Sequence, residues 1–260
     1  MNRSRRTAIA TALLGACLAA SAAASAATVR PASTLPLRTI ARVPLSGPPV
    51  RFDYTSIDPE AGLLWVAHMN ASQLLAVSLK TRRIVHTIAA PRVHGVIAEP
   101  SLDRVYASAT DSHAVLTIDG RTGKVLASAP AGDYPDGLVY DPAEKHVFVS
   151  DEHGGVETVI PAAGRRIATI GLGGEAGNVQ YDAGTGFVLA DVQSRNDIAV
   201  IDPNTDKVIR RIPLSHCSSD RGLLVDATHR VAFVACGGSA TLLTLNLDTE
   251  KITEIGRAHV

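Results

Sequence analysis

The chain has 260 residues, 46% of them hydrophobic and 19% charged, with 25 basic and 25 acidic side chains. That composition excludes a low-complexity or disordered protein and leaves room for one large domain or two small ones. Balanced charge and only 4% aromatic residues weigh against a polyanion partner, which normally shows as a basic surplus or stripe.

At the N-terminus, Arg3, Arg5 and Arg6 precede an apolar run from Ala8 to Ala20, followed by small residues as far as Ala27. This is the pattern of a secretory signal peptide over residues 1–27, with Ala24 and Ala26 supplying the small-x-small cleavage site. The run is too short and too rich in Ala for a membrane span, so none is expected once the signal is removed. Leu14-Gly15-Ala16-Cys17 supports a second reading, a lipoprotein signal in which Cys17 carries a lipid anchor. In both readings the mature chain is periplasmic or secreted. Without residues 1–27 it keeps 22 basic and 25 acidic residues, a formal charge of minus three.

Residues 28–36 read as a linker. Leu37 to Leu45 reads as an outer strand with no unit in front of it, because Val43-Pro44-Leu45-Ser46 parallels Ile212-Pro213-Leu214-Ser215. A ring of repeats is often closed by such a strand from one terminus, and this segment is read as the closing strand of the last blade.

From Tyr54 onward the sequence is periodic. An acidic residue followed by Pro or Ala recurs at Asp58, Glu99, Asp141, Asp182 and Asp226, at intervals of 41, 42, 41 and 44 residues. Each anchor follows a short apolar stretch and precedes a tight turn and a second run: LLWVAH, RVYASA, HVFVSD, FVLAD and VAFVAC. A third run, a polar turn such as PNTDK, and a fourth run such as VIRRIPL complete each unit. Short strands rich in β-branched residues, joined by Gly, Pro, Asn and Asp turns at this spacing, predict an all-β fold, a β-propeller of four-stranded blades with five repeats present. The identical placing of Asp58, Asp141, Asp182 and Asp226 marks them as turn acceptors rather than catalytic acids. After Ile252 and Thr253 open the last fourth strand, Glu254–Val260 reads as the translation of a sequencing adapter. The propeller is therefore expected over residues 37–253, with 254–260 a non-native tail.

Phe148-Val149-Ser150-Asp151, and more loosely Trp65-Val66-Ala67-His68 and Phe233-Val234-Ala235-Cys236, resemble the second-strand pattern of the YVTN-repeat β-propellers. IAVIDPNTDKVIRRIPL is similar to the third strand, turn and fourth strand of that family's exported YncE-like group. The resemblance covers about residues 37–253. It implies a ring of seven blades, of which these five repeats are a fragment. Tyr106-Ala107-Ser108-Ala109 and Phe187-Val188-Leu189-Ala190 depart from the pattern by lacking its final polar residue.

In a propeller the loop entering each innermost strand and the loop leaving each second strand open on one face. Five residues before successive anchors stand Asp53, His94, Asp136, Gly177 beside Asn178, and Arg221. With His68, Asp151, His153 and Asp191 near the second-strand ends, they predict a polar ring at one mouth of the central channel. The ligand-binding candidates are Asp53, His68, His94, Asp136, Asp151, Asn178 and Arg221. Turn and cap chemistry alone also places Asp, His and Asn in such loops. No compact metal-ligand motif, no Gly-x-Ser-x-Gly elbow and no haem attachment motif is present, so no catalytic residue, metal or cofactor is assigned. Cys217 and Cys236 lie at the ends of adjacent strands and are expected to form a disulfide, worth about 2–4 kcal/mol.

These features predict an exported scaffold that presents a polar loop face to a small molecule or a protein partner, rather than an enzyme. A propeller enzyme, either a lactonase or a quinoprotein-dehydrogenase-like subunit, is the alternative. Single-stranded nucleic-acid binding, which the resemblance also raises, is disfavoured by the charge and the few aromatics.

Overall fold

A computed structural model of the chain describes residues 38–257 apart from 46, 163 and 165. The signal segment with Cys17, the linker 28–36 and residues 258–260 lie outside the described residues. The chain divides into two compact units, Met1–Arg42 and Val43–Val260. Residues 38–42, the described part of the first, are exposed and carry no strand.

The second unit contains five four-stranded antiparallel sheets, each a simple up-and-down meander. The first comprises β1 (Thr55–Asp58), β2 (Leu63–His68), β3 (Gln73–Ser78) and β4 (Ile84–Ala89). The second comprises β5 (Val93–Glu99), β6 (Arg104–Ala109), β7 (Ala114–Asp119) and β8 (Val125–Pro130). The third holds β9 (Pro135–Asp141), β10 (His146–Asp151), β11 (Val156–Pro161) and β12 (Ala168–Gly171). The fourth holds β13 (Ala176–Asp182), β14 (Phe187–Val192), β15 (Asp197–Asp202) and β16 (Lys207–Pro213). The fifth holds β17 (Asp220–Asp226), β18 (Val231–Cys236), β19 (Thr241–Asn246) and β20 (Ile252–Arg257). First strands of successive sheets pack against one another, which is the arrangement of blades in a propeller. No described helix is long and apolar enough to cross a membrane.

The anchors act as the turn chemistry requires. Asp58 accepts the Ala61 N–H at 2.8 Å, Asp141 that of Ala143 at 2.8 Å, Asp182 that of Gly184 at 2.9 Å and Asp226 that of His229 at 3.0 Å. Each carboxylate thus closes its hairpin by an Asx-type turn. The residue four places on is left-handed in every blade: Gly62, Asp103, Lys145, Gly186 and Arg230. Only two are glycine, so at the other three the repeat imposes a conformation that L-residues seldom adopt.

Most strands are buried on both faces, and this explains the continuous apolar runs. Between the first and second sheets lie Trp65, Ala67, Leu74 and Ala76 against Val93, Val96 and Val105. Tyr106 and Val115 meet Tyr140 and Val147 at the next junction, and Phe148 and Val159 meet Val179 and Val188 at the third. Leu189, Ile198 and Val200 meet Leu223, Val234 and Leu243 at the fourth. Among the described residues no sheet covers the outer face of the fifth, where Leu224 and Leu242 are exposed. The ring is not closed.

Residues 38–45, the described part of the expected closing strand, carry no strand among the five sheets described. Val43 and Leu45 instead pack, part-buried, on Val66, Leu75 and Val77 of the first sheet. An added strand needs an unpaired edge on a third strand, and every sheet already has its own fourth strand. In the fifth sheet that position is taken by β20, which continues past Thr253 to Arg257, with Glu254 opposite Leu243 and Gly256 opposite Leu242.

Candidate functional site

The inner-strand entries converge on a cavity of about 330 Å³. Asp53, His94, Asp136, Asn178 and Arg221, one from each blade, all line it, as the spacing predicts. The backbone reason is a recurring irregularity: register shifts occur at Val93/Val96, Val149/Asp151, Ala176/Val179 and Asp220/Gly222. Each bulge turns the start of an inner strand and aims its side chains across the channel.

One wall is aromatic. His94 is buried, and its Nδ1 lies 2.9 Å from the Arg92 carbonyl and 2.7 Å from Thr110 Oγ1. Because Thr110 donates its own hydroxyl proton to the Pro135 carbonyl at 2.6 Å, Nδ1 must be the donor. His94 Nε2 then accepts from the Tyr134 hydroxyl at 3.0 Å. Burial lowers the His94 pKa, with the Arg92 carbonyl opposing, so the ring is neutral near pH 7. Tyr134 also stands 4.2 Å from the His153 ring, with the Arg92 guanidinium 5.5 Å over its face.

The other wall is acidic. Burial raises Asp136 to about 7, with the charges of Asp53 and Glu152 adding to the effect, and its Oδ1 has no hydrogen-bond partner. Burial raises Asp53 as well, opposed by Arg51 at 3.1 Å. Glu152 accepts from Gln193 Nε2 at 3.3 Å. Tyr54, from the first blade, donates its hydroxyl to Asn178 Oδ1 of the fourth. Burial and the carboxylates around it drive the Tyr54 pKa up, so this cross-channel bond keeps its proton.

Two candidates are not brought to the cavity. His68 is 1% exposed, with Nε2 3.1 Å from the Pro48 carbonyl and its ring stacked on Phe52 at 4.2 Å. Asp151 accepts the N–H groups of Asp133 and Tyr134 at 2.8 Å each and of Gly154 at 3.1 Å. It therefore fastens the loop that presents Tyr134. The sequence reading missed Arg51, Tyr54, Tyr134, Glu152 and Gln193 among the lining residues. A signal existed for two of them, since Thr110, Glu152 and Gln193 follow one another at the repeat spacing, each just past a second strand. Among the described residues no three His, Cys, Asp or Glu side chains are grouped as metal ligands.

The expected disulfide is present: Cys217 and Cys236 are bonded, with Cα atoms 5.3 Å apart. It ties the loop before β17 to the end of β18, close behind Arg221.

No protein-family model and no curated protein matches the sequence. Solved structures do match the fold. A catalytically inactive variant of virginiamycin B lyase from Staphylococcus aureus, crystallised with quinupristin, aligns over 81% of this chain and 71% of its own, with TM-score 0.71 and 12% identity. A streptogramin B lyase aligns over 80% and 69%, with TM-score 0.68 and 14% identity. The dihydro-heme d1 dehydrogenase NirN aligns over 81% of this chain but 49% of its own, with TM-score 0.64 and 17% identity. These likenesses fix the β-propeller fold.

Proposed function

We propose that this chain is an exported β-propeller of the YVTN-repeat, YncE-like type that holds a small polar ligand at its channel mouth. The observation that carries the reading is the cavity to which all five blades contribute a polar side chain, with Asp136 buried and short of a partner. At about 330 Å³ the cavity admits a metabolite-sized molecule rather than a polymer. Tyr134, His153 and Arg92 offer a flat face, while Asp136, Glu152 and Arg221 offer charges of both signs, a match for an amphoteric or hydroxylated ligand. A thermal-shift screen of amino acids, hydroxy acids, sugars and diamines tests it. At least one class should stabilise the wild type and not Asp136→Ala or Arg221→Ala; the absence of any response across the panel defeats the reading.

Asp136 also supports a second reading, a propeller enzyme. A carboxyl whose pKa lies near 7 is tuned for proton transfer. Hydrolysis of simple lactones that disappears in Asp136→Asn, with the fold intact, separates catalysis from binding.

A further inference from the structure

Polar contacts at the second junction show how this propeller closes the gap between blades near the channel. Ser108 donates its hydroxyl to the Asp136 carbonyl at 2.7 Å and accepts the Gly95 N–H at 2.7 Å. Thr110 donates to the Pro135 carbonyl at 2.6 Å. Two repeats later the same two positions carry Asp191 and Gln193, in matching register against the inner strand. The next inner strand, which begins with Pro135 in the third sheet, begins with Asp220 in the fifth. Hydroxyl donors have thus been replaced by acceptors.

The acceptors are unsatisfied. Asp191 and Asp220 are 0% exposed and Gln193 is 6% exposed. No side chain donates to either carboxyl or to Gln193 Oε1, and only the backbone N–H groups of Asp220 and Val192 are turned toward the Asp220 carboxyl. The Gln193 amide nitrogen is turned to the Ala176 carbonyl at 2.7 Å. Nearby Arg195 and Arg211 are both paired with Asp197, at 3.0 and 2.9 Å. The three residues also crowd one point. Where the second blade has His94, the fourth has Gly177, and a methyl group placed there would meet Asp191 Cβ at 2.9 Å, the Asp220 carbonyl oxygen at 3.2 Å and Gln193 Cγ at 3.2 Å, so glycine lets the three gather this closely.

Buried carboxyls this close, with no cationic side chain between them, are stabilised by a proton or by a bound cation. We infer that the junction of the fourth and fifth blades binds a hard divalent cation, best matched by calcium, through the carboxylates of Asp191 and Asp220 and the amide oxygen of Gln193. An all-oxygen set suits calcium, which takes about 6–8 oxygen ligands in flexible geometry, and not zinc, which prefers nitrogen and sulfur. Water completes the shell from the mouth cavity, which Gly177 and Gln193 also line. The site stands on its own residues and does not require a small ligand in the cavity.

The test is calorimetric titration of the full chain with calcium chloride, with magnesium as control, alongside thermal unfolding in calcium or EDTA. One calcium should bind at up to about millimolar concentration and raise the melting temperature. Asp191→Ser restores the hydroxyl of the second junction; it should melt in EDTA no lower than the wild type and bind calcium at least about tenfold more weakly. Asp220→Asn serves the same purpose if that variant does not fold. Absence of calcium heat and of any melting shift in the wild type overturns the inference and leaves two protonated carboxyls. Unchanged calcium binding in a folded Asp191→Ser overturns it equally.

Discussion

Trp65 and Phe233 hold the same place in their blades, the third residue of the second strand, and the molecule treats them differently. Trp65 is 0% exposed against the second blade, and so are Ala67, Leu74 and Ala76 around it. Phe233 is only part-buried, Ala235 is exposed, and Leu242, the counterpart of Leu74, is 39% exposed. The local sequence is apolar at both ends. What differs is the presence of a neighbouring sheet, so a blade in this chain draws its stability from the next one as much as from its own ladder.

The comparison breaks most visibly if both aromatics are truncated. Trp65→Ala should cost about 3–5 kcal/mol, the range for a large buried side chain whose cavity cannot collapse. Phe233→Ala should cost less than about half of that, since one side of its ring already faces water. Urea unfolding with matched slopes gives both numbers. Equal losses would mean that the face of the fifth blade is covered in solution.

The fifth blade, packed on the fourth, carries the Cys217–Cys236 bond as a further constraint. Replacing both cysteines by serine should lower stability by about 2–4 kcal/mol. Reductant should reproduce that loss in the wild type and leave the double variant unchanged.

Glu157 sharpens the contrast by pH. It occupies the place of Leu74 and Leu242 on the third strand, at the junction of the third and fourth blades. There it is fully buried, with Oε1 accepting from Ser150 at 2.7 Å and Oε2 unpartnered. Burial pushes its pKa up to about 8, from 4.5, with the Asp151 charge adding and Ser150 opposing. The folded state then holds a proton that the unfolded state has released, so stability falls as pH rises between those values, by up to about 1.4 kcal/mol per unit. Glu157→Gln, which keeps the shape without the titration, should flatten the slope. A wild-type profile already flat over pH 5–8 would show that the carboxyl is solvated.

Anchors and blades were readable from sequence because an Asx turn is a local device: Asp58, Asp141, Asp182 and Asp226 need only the two or three residues after them. Residues at a fixed offset before the anchors inherited that precision, and Asp53, His94, Asp136, Asn178 and Arg221 do meet. Asp151 was misplaced because the bulge at Val149/Asp151 shifts the register near the end of its strand, so counting along it no longer says which way the side chain faces. His68 has no such bulge beside it and was misplaced because the Pro48 carbonyl and the Phe52 ring, from the segment before the first strand, take up its ring. The closing strand expected over Leu37–Leu45 belongs to a last blade, and each of the five sheets described has its own fourth strand, so none of them offers it an edge.

The smallest effect is expected on the open face itself. Leu242→Glu places a carboxylate where Glu157 stands two blades earlier, yet here water reaches it, so stability should change by less than about 0.5 kcal/mol. Leu74→Glu, the same change in the covered first blade, should prevent folding near pH 7, because the first blade offers Ala67 where Glu157 has the Ser150 hydroxyl. What Leu242→Glu should alter is association. Leu224 is 60% exposed beside Leu242 and Phe233, a contiguous apolar patch on the face of the fifth sheet turned away from the fourth, and such patches drive contact between copies. Sedimentation velocity over a concentration series should show the wild type self-associating and Leu242→Glu remaining a monomer. A wild type that stays monomeric throughout would mean that the polar rim of Arg221 and Asn178 already keeps copies apart.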